Sequence, residues 1–466
     1  MRSAVILAAG KGTRMQSAKP KVLHEILGKS MILHVVQTLK DAKIQKIVVI
    51  LGHESELVKE NLANEKHIEF AYQHEQLGTA DALKQAKSNL GHISGSTIVV
   101  CGDTPLLTRK TITEIFEQHE KQEQVDGCAC TVLTGELEDA SGYGRIIRNV
   151  NHEIIGIIEE KDATSDEKLV KEFNSGVYCL SNAHLFENLE KITNNNTQSE
   201  YYLPDIIKIL KIQKKAVARY IIKDNAEIIG VNDRVALSDV TTILRHKINH
   251  GWQLQGVTMH NPETIFIGRD VIIAKDVIIE TNVKILGNTR IASDTIIGMN
   301  SEINNCTIAE NVIIKQSVIS DSIIGAHTTV GPFAHLRQQC EIGKHTRIGN
   351  FVEFKNTRFA DYSASAHLTY LGDAEIGHHV NIGCGTITAN YNGVSKSKTI
   401  IGNSVFIGSN SNLIAPITIH NGAFIGAGST LMQDIPENAF AMTRGPEILK
   451  EGYATILKQK YADAKK

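Results

Sequence analysis

Nothing in this sequence supports a disulfide framework or a zinc cluster. Its seven cysteines are an odd number scattered over 466 residues, and the only close pair is Cys128-x-Cys130. Such usage reads as reduced thiols in a cytosol. Charge of one sign is also missing: 49 Lys and Arg against 51 Asp and Glu leave a net −2. No global field then attracts nucleic acid or an anionic membrane, and a phosphate ligand has to be held by local cations or backbone N–H groups. Long apolar runs are absent too. The stretch Ala4–Ala9 behind Arg2 is too short for the core of a signal peptide and is followed by Lys11. No segment approaches the ~20 apolar residues of a membrane helix. The expectation is a cytoplasmic chain with neither a membrane span nor a nucleic-acid partner. At roughly 150 residues per domain, its length suggests two or three domains.

What is present falls into two halves. Up to about residue 230, short apolar runs alternate with helix-period segments. The runs are Ala4–Ala9, Ile47–Leu51, Thr97–Cys101, Gly127–Leu133 and Val177–Leu180. Leu33, Val36 and Leu39, and later Ala82 and Ala86, keep helical spacing between them. This alternation predicts an α/β domain with a largely parallel, Rossmann-like sheet over residues 1–229. Val235, Leu237, Val240, Ile243, Leu244 and Ile248 then mark a helical linker over 230–250.

From residue 251 to 466 the period changes. Ile267, Ile273, Ile279, Ile285, Ile291, Ile297 and Ile303 recur every sixth residue. The pattern slips and re-forms at Ile324, Val330, Leu336, Ile342 and Ile348, and again from Ile401 to Leu431. A six-residue period is neither helix nor simple alternation; it predicts a parallel β-helix of hexapeptide repeats. Each repeat supplies a short strand with one inward aliphatic side chain, and about 18 residues complete a three-sided coil. The phase breaks between roughly Phe354 and Ile376, where a functional loop is expected. Spacing alone does not reveal the hand of the coil. The stretch Lys450–Lys466 reads as a partly helical, solvated end.

In the first half, the strand Ala4–Leu7 feeds Ala8-Ala9-Gly10-Lys11-Gly12-Thr13-Arg14, with Lys19-Pro20-Lys21 beyond. A Gly-rich turn after a strand offers N–H groups to phosphate, and Arg14 and Lys21 add cations. It lacks the Gly-Lys-Ser/Thr of a Walker loop, and Met15 replaces the third glycine of a dinucleotide fingerprint. Thr97–Cys101 ends in Gly102-Asp103, a carboxylate at a strand end, where open α/β sheets bind ligands. A hard cation such as Mg²⁺ needs one or two such oxygens and completes its shell with phosphate and water. Taken singly, Asp103 and Asn232 are ordinary turn residues.

Together LAAGKGTRM, PKVL, EQLGTA, GDTPL, GYGRI, EEKDA, FNSGVY and GVNDR resemble the sugar-1-phosphate nucleotidyltransferases. With the hexapeptide half added, residues 3–445 resemble the family of bifunctional N-acetylglucosamine-1-phosphate uridyltransferases and glucosamine-1-phosphate acetyltransferases. The resemblance implies a left-handed coil, a homotrimer, Mg²⁺, and UTP and acetyl-CoA as co-substrates. It also implies a UDP-N-acetylglucosamine product destined for the bacterial cell envelope. It sets Leu7, Ala8, Ala9, Gly10 and Gly102 against the nucleotide, with Arg14 and Lys21 as catalytic cations on its phosphates. Gln73, Gly78 and Thr79 would lie near the uracil, and Gly144, Glu159 and Asn174 near the sugar. Asp103 and Asn232 would ligate the metal. Cys101 stands where relatives often carry an aromatic residue, which leaves no assigned contact for it.

In the second half the resemblance makes His367 the general base of acetyl transfer. Proton removal as an amine attacks a thioester is ordinary work for an imidazole. Arg337, Lys355, Tyr370 and Asn381 would hold glucosamine 1-phosphate. Asn390, Tyr391, Cys384, Ser409, Ala427 and Arg444 would lie toward acetyl-CoA. Glu353 is the expected orienting group for His367. Two other readings are a single-activity nucleotidyltransferase with a structural or regulatory β-helix, and a scaffold built on a hexapeptide prism. His367 with Lys355 and Asn390 argues against the first, and Asp103 with the Gly10–Lys21 loop against the second.

Overall fold

The computed structural model describes every residue except Arg444, Lys465 and Lys466. The chain divides into two units, Met1–Arg245 and His246–Lys466.

In the first unit the apolar runs form strands. They are β1 (Arg2–Leu7), β2 (Lys46–Leu51), β3 (Ile68–Tyr72), β4 (Ser96–Cys101), β5 (Cys130–Glu136), β6 (Arg145–Arg148), β7 (Ile154–Ile158), β8 (Glu172–Ser181) and β9 (Val217–Ile221). Seven lie in the order β9-β5-β8-β4-β1-β2-β3, and the β6–β7 hairpin joins at β8. β3, β2, β1 and β4 are mutually parallel, so Leu7, Ile50 and Cys101 come side by side at one edge. β8 runs antiparallel to β4 and β5. It follows a hairpin rather than a helical crossover, so it returns in the opposite direction. Alternate residues of the central strands fill two cores. Ala4, Ile6, Val49 and Ile98 face one side, and Val5, Val48, Ile50 and Val99 the other. Burial on both faces explains why these strands read as unbroken apolar runs.

The helix Arg234–Leu254 begins four residues later and ends four residues later than the 230–250 expected for the linker. Asp233 caps it by accepting the N–H of Ala236 at 2.9 Å. The division between units falls inside this helix. Its later residues Ile248 and Trp252 pack on the core of the second unit.

That second unit is a stack of twenty-six short parallel strands from Thr258 to Ala441. Ile285 pairs with Ile303, and Ile303 with Ile319, separations of 18 and 16 residues. The slips in the six-residue phase are therefore corners shortened by a residue, and the ladders stay in register. Ile267, Ile285, Ile303, Ile319 and Leu336 are all fully buried in one continuous core. Asn282, Asn300, Asn311 and Asp294 turn corners with φ of 55–60°, a conformation Asn and Asp tolerate better than other side-chain-bearing residues.

The expected loop after Phe354 is not a loop. Arg347–Phe359 and Ala364–Ile376 are two 13-residue strands paired along their length. Phe354 and Phe359 are fully buried, with ring centroids 5.1 Å apart. Two aromatic rings fill the inward positions here, and the coil passes through the break without leaving the stack. At the far end, the helix Tyr453–Asp463 buries none of its residues.

Candidate active sites

The parallel strands place the nucleotide-loop residues around a cavity of about 300 Å³ at their C-terminal edge. Leu7, Ala8, Ala9, Gly10, Lys21, Gln73, Gly78, Thr79 and Asp103 all line it. Gln76, from the EQLGTA segment, and Glu200, which had no sequence signal, join them. Gly78 sits at φ +118°, and a Cβ there would lie 2.5 Å from the carbonyl oxygen of Tyr201. Only glycine lets these two segments close on each other. The Gln73 side chain is buried and donates to the Gly78 carbonyl at 3.0 Å and to Asp81 Oδ2 at 2.8 Å. Its amide is thereby fixed in orientation. Gly102, buried behind the strand end, donates its N–H to the Leu7 carbonyl at 2.9 Å.

The cations and oxygens converge. Lys21 Nζ donates to Asp103 and, at 3.2 Å, to Asn232 Oδ1, which also accepts from Arg14 Nη2 at 3.0 Å. Val231 donates its N–H to the Asp103 carbonyl at 2.9 Å, which brings the Gly230–Asp233 turn to the strand end. Two hard oxygens thus surround one ammonium. The Asp103 carboxylate and the Asn232 side-chain carbonyl are the oxygen donors a hard divalent ion takes, so such an ion fits this donor set. Cys101 lies beside the group. Its thiol is pushed up to about 12, first by burial and then by the Asp103 carboxylate, against the pull of Lys21. It is a neutral wall, not a charged ligand.

A second cavity of about 210 Å³ shares Leu7, Thr79 and Cys101 with the first. Gly144, Glu159 and Asn174 line it, together with Tyr143 and Tyr178. Asn174 accepts the Tyr178 hydroxyl at 2.9 Å and the Gly176 N–H at 3.1 Å. Burial raises the Glu159 carboxyl above its ordinary range, and the charges of Asp162 and Asp205 add to the effect.

In the β-helix, two groups stand at the two ends of one face. At one corner His367 pairs in register with Asn350, and their Nδ1 and Oδ1 are 2.8 Å apart. The expected orienting role of Glu353 is not seen. Its carboxylate takes Arg337 Nε at 3.2 Å and Nη2 at 2.5 Å instead. Register explains this: Glu353 lies beside His335 and Tyr370, a corner away from His367. At the other end, Lys355 lies beside Arg337 and Gly372 on neighbouring strands.

Lys355 is buried, with Nζ 3.9 Å from Asp373 Oδ2. Its ammonium is held below the usual lysine range by the adjacent Lys396, by burial and by Arg337, with Asp373 opposing. Burial would raise Asp373, but hydrogen bonds from Asn356 and Asn390 and the nearby lysines hold it low. Asn390 donates to Asp373 at 2.5 Å. A Cβ on Gly372 would lie 2.7 Å from Tyr370 Cζ and 2.8 Å from Asn390 Nδ2. Glycine there leaves room for both side chains against its backbone. Lys396 and Asp373 complete a cluster whose cations outnumber its carboxylates.

Three further residues form a column down the His367 corner. The Leu368 carbonyl accepts the Gly385 N–H at 2.7 Å, Cys384 accepts that of Asn410 at 2.7 Å, and Ser409 that of Gly428 at 2.8 Å. Cys384, Ser409 and Ala427 therefore occupy successive coils beneath the imidazole. Cys384 is exposed. Asn381 lies apart from the Arg337–Lys355 cluster, on the face that carries Ala364 and Phe406. Tyr391 is exposed and donates to the Gly393 carbonyl at 2.6 Å. Arg444 is outside the described residues.

A nucleotide-sized cleft on an α/β sheet, joined to a hexapeptide β-helix with an imidazole at one corner, defines a two-headed transferase. The profile of the nucleotidyl transferase family matches residues 3–253. That of the GMPPB C-terminal domain matches 266–364, and that of the six-repeat bacterial transferase hexapeptide matches 398–433. The bifunctional protein GlmU of Exiguobacterium sibiricum is 49% identical over 450 residues, 97% of this chain and 99% of the relative. That of Bacillus licheniformis is 50% identical over 459 residues, covering 98% and 99%. That of Staphylococcus epidermidis is 48% identical over 452 residues, covering 97% and 99%. The chain belongs to the family of bifunctional GlmU proteins. It is a bifunctional transferase, with a nucleotidyltransferase half and a left-handed β-helix half of the hexapeptide class. No helix among the described residues is long and apolar enough to cross a membrane.

Proposed function

We propose that the second unit acetylates glucosamine 1-phosphate with acetyl-CoA, and that the first transfers UMP from UTP to the resulting N-acetylglucosamine 1-phosphate. The products are UDP-N-acetylglucosamine and pyrophosphate. One observation carries this reading. The chain holds two separate phosphate-sized cation groups, Arg14–Lys21 beside a nucleotide-sized cleft and Arg337–Lys355 on a face that ends at an imidazole. Residues 1–229 with the linker 230–250 carry uridyl transfer and residues 251–466 carry acetyl transfer, and the work is cytoplasmic.

In the first unit, the loop Leu7–Gly10 holds the nucleotide, and Gln73, Gly78 and Thr79 face the uracil. Gly144, Glu159 and Asn174 hold the sugar. Asp103 and Asn232 are the residues that would hold Mg²⁺, which supplies charge neutralisation at the phosphates when bound. A phosphate oxygen of the sugar 1-phosphate attacks the α-phosphorus of UTP in line; that P–O bond forms as the bond to pyrophosphate breaks. Arg14 and Lys21 bind the phosphates, and Lys21 turns from Asp103 and Asn232 toward them. No protein nucleophile is required, because positioning and electrostatics dominate phosphoryl-type transfer.

In the second unit, Arg337, Lys355 and Tyr370 hold the sugar phosphate. The neutral amine attacks the thioester carbonyl, His367 takes its proton, and the thiol of coenzyme A leaves. The column at Cys384, Ser409 and Ala427 runs along the acyl carrier. His367 and Lys355 occupy opposite ends of one face, and Asn381 lies on another. A second copy of the chain therefore completes each site, in the homotrimer that the family resemblance implies.

The test is mass spectrometry of the purified protein given glucosamine 1-phosphate, acetyl-CoA, UTP and Mg²⁺. UDP-N-acetylglucosamine is the expected product. UDP-sugar formed only when N-acetylglucosamine 1-phosphate is supplied ready-made would favour the single-activity alternative. His367→Ala should lower acetyl transfer about 10²–10⁴-fold, the usual contribution of a positioned base.

A further inference from the structure

We infer that Asn350 is a positioning residue for acetyl transfer: it fixes which nitrogen of His367 carries a proton and where the other one points. The inference rests on the reading of His367 as the base. A neutral imidazole has one N–H donor and one lone pair, and which is which depends on its partners. Nδ1 lies 2.8 Å from Asn350 Oδ1, an oxygen that can only accept. The proton then sits on Nδ1, and the lone pair is left on Nε2, directed away from Asn350. Among the described residues Asn350 is the only side-chain partner of His367, because Glu353 is held by Arg337.

The backbone around the ring is fixed as well. Asn350 and His367 are register partners on adjacent coils, the Thr369 hydroxyl donates to the His367 carbonyl at 2.7 Å, and Gly385 donates to the carbonyl of Leu368 at 2.7 Å. With the ring anchored at Nδ1, Nε2 accepts the amine proton as the C–N bond forms. It returns that proton to the thiolate as the C–S bond breaks.

An amide in this place has a further consequence. A carboxylate partner would stabilise the imidazolium and keep the base protonated to higher pH. The neutral carbonyl of Asn350 orients the ring without placing a formal negative charge beside it.

Two variants of the full chain test this, with uridyl transfer and thermal midpoint as folding controls. Asn350→Ala should lower acetyl-transfer kcat about 10–100-fold, a loss typical of removing a group that orients a functional histidine. The KM values for glucosamine 1-phosphate and acetyl-CoA should stay within about twofold, since the Asn350 side-chain carbonyl is engaged by His367 Nδ1. Asn350→Asp should recover most of kcat at alkaline pH, while the acid limb of its profile moves up by about one pH unit. A normal kcat in Asn350→Ala, or an Asn350→Asp profile superimposable on the parent's, overturns the proposal. The base assignment fails separately, if His367→Ala keeps near-normal acetyl transfer.

Discussion

At the residue scale, the two metal-type oxygens carry the clearest expectation. Asp103→Ala removes the carboxylate paired with Lys21. Uridyl transfer should fall by at least about 10²-fold, the scale of losing one preorganised electrostatic group. Acetyl transfer in the same preparation should be unchanged. Undiminished uridyl transfer across a Mg²⁺ titration would remove Asp103 from the site. Glu159 makes the opposite kind of prediction. Its carboxyl is raised by burial and by Asp162 and Asp205. The protonated form is thus favoured on folding, and that stability is present below the ordinary carboxylate range and lost as pH rises through the raised value. Glu159→Gln should raise the thermal midpoint of the first unit at neutral pH. The gap should close on acidification, and the KM for the sugar phosphate should rise. A midpoint that falls at neutral pH would contradict the assignment of burial as the cause. Asn350 shows why residues of this kind escape a sequence reading. Asparagines recur throughout the coils, and Asn282, Asn300 and Asn311 turn corners at positive φ. Only the register of two strands singles out the one that faces an imidazole.

At the scale of elements, the hexad pattern was legible because each coil is a solid prism with one inward position per side. Ile267 to Ile303 could not satisfy that geometry by accident. The stretch after Phe354 was misread because an inward spacing of five, from Phe354 to Phe359, looks like a lost phase in a one-dimensional pattern. Two rings close the gap in three dimensions. The antiparallel β8 was hidden for a related reason: a fully buried strand carries the same apolar run in either direction. Two predictions belong here. Ile303→Ala empties a fully buried inward position and should destabilise the second unit by about 2–5 kcal/mol in denaturant titrations. Gly372→Ala introduces a methyl group against Tyr370 and Asn390. It should raise the KM for glucosamine 1-phosphate more than that for acetyl-CoA. An equal rise in both would point to general misfolding of the coil.

At the scale of the whole molecule, two units with separate cores imply two separable activities. A fragment of residues 1–245 should keep uridyl transfer, lack acetyl transfer and sediment as a monomer, and the proposed trimer should be seen only with the full chain. A folded fragment without UDP-sugar synthesis would place the functional boundary elsewhere. The ladders of the second unit also govern how its length can change. Phe266 pairs with Lys284, and Lys284 with Glu302. Excising residues 284–301 would bring Glu302 to the place of Lys284 beside Phe266, and every later ladder would keep its partners. Excising nine residues would leave half a coil, with no strand in line above or below it. Insertions and deletions within the ladders of this half are therefore acceptable in whole-turn steps, like pages added to or taken from a bound stack, and other lengths are confined to corners, as before Thr399, which pairs with Ala374 25 residues earlier. Gene-level variation in its height should be quantised, while the first unit is free to vary loop by loop.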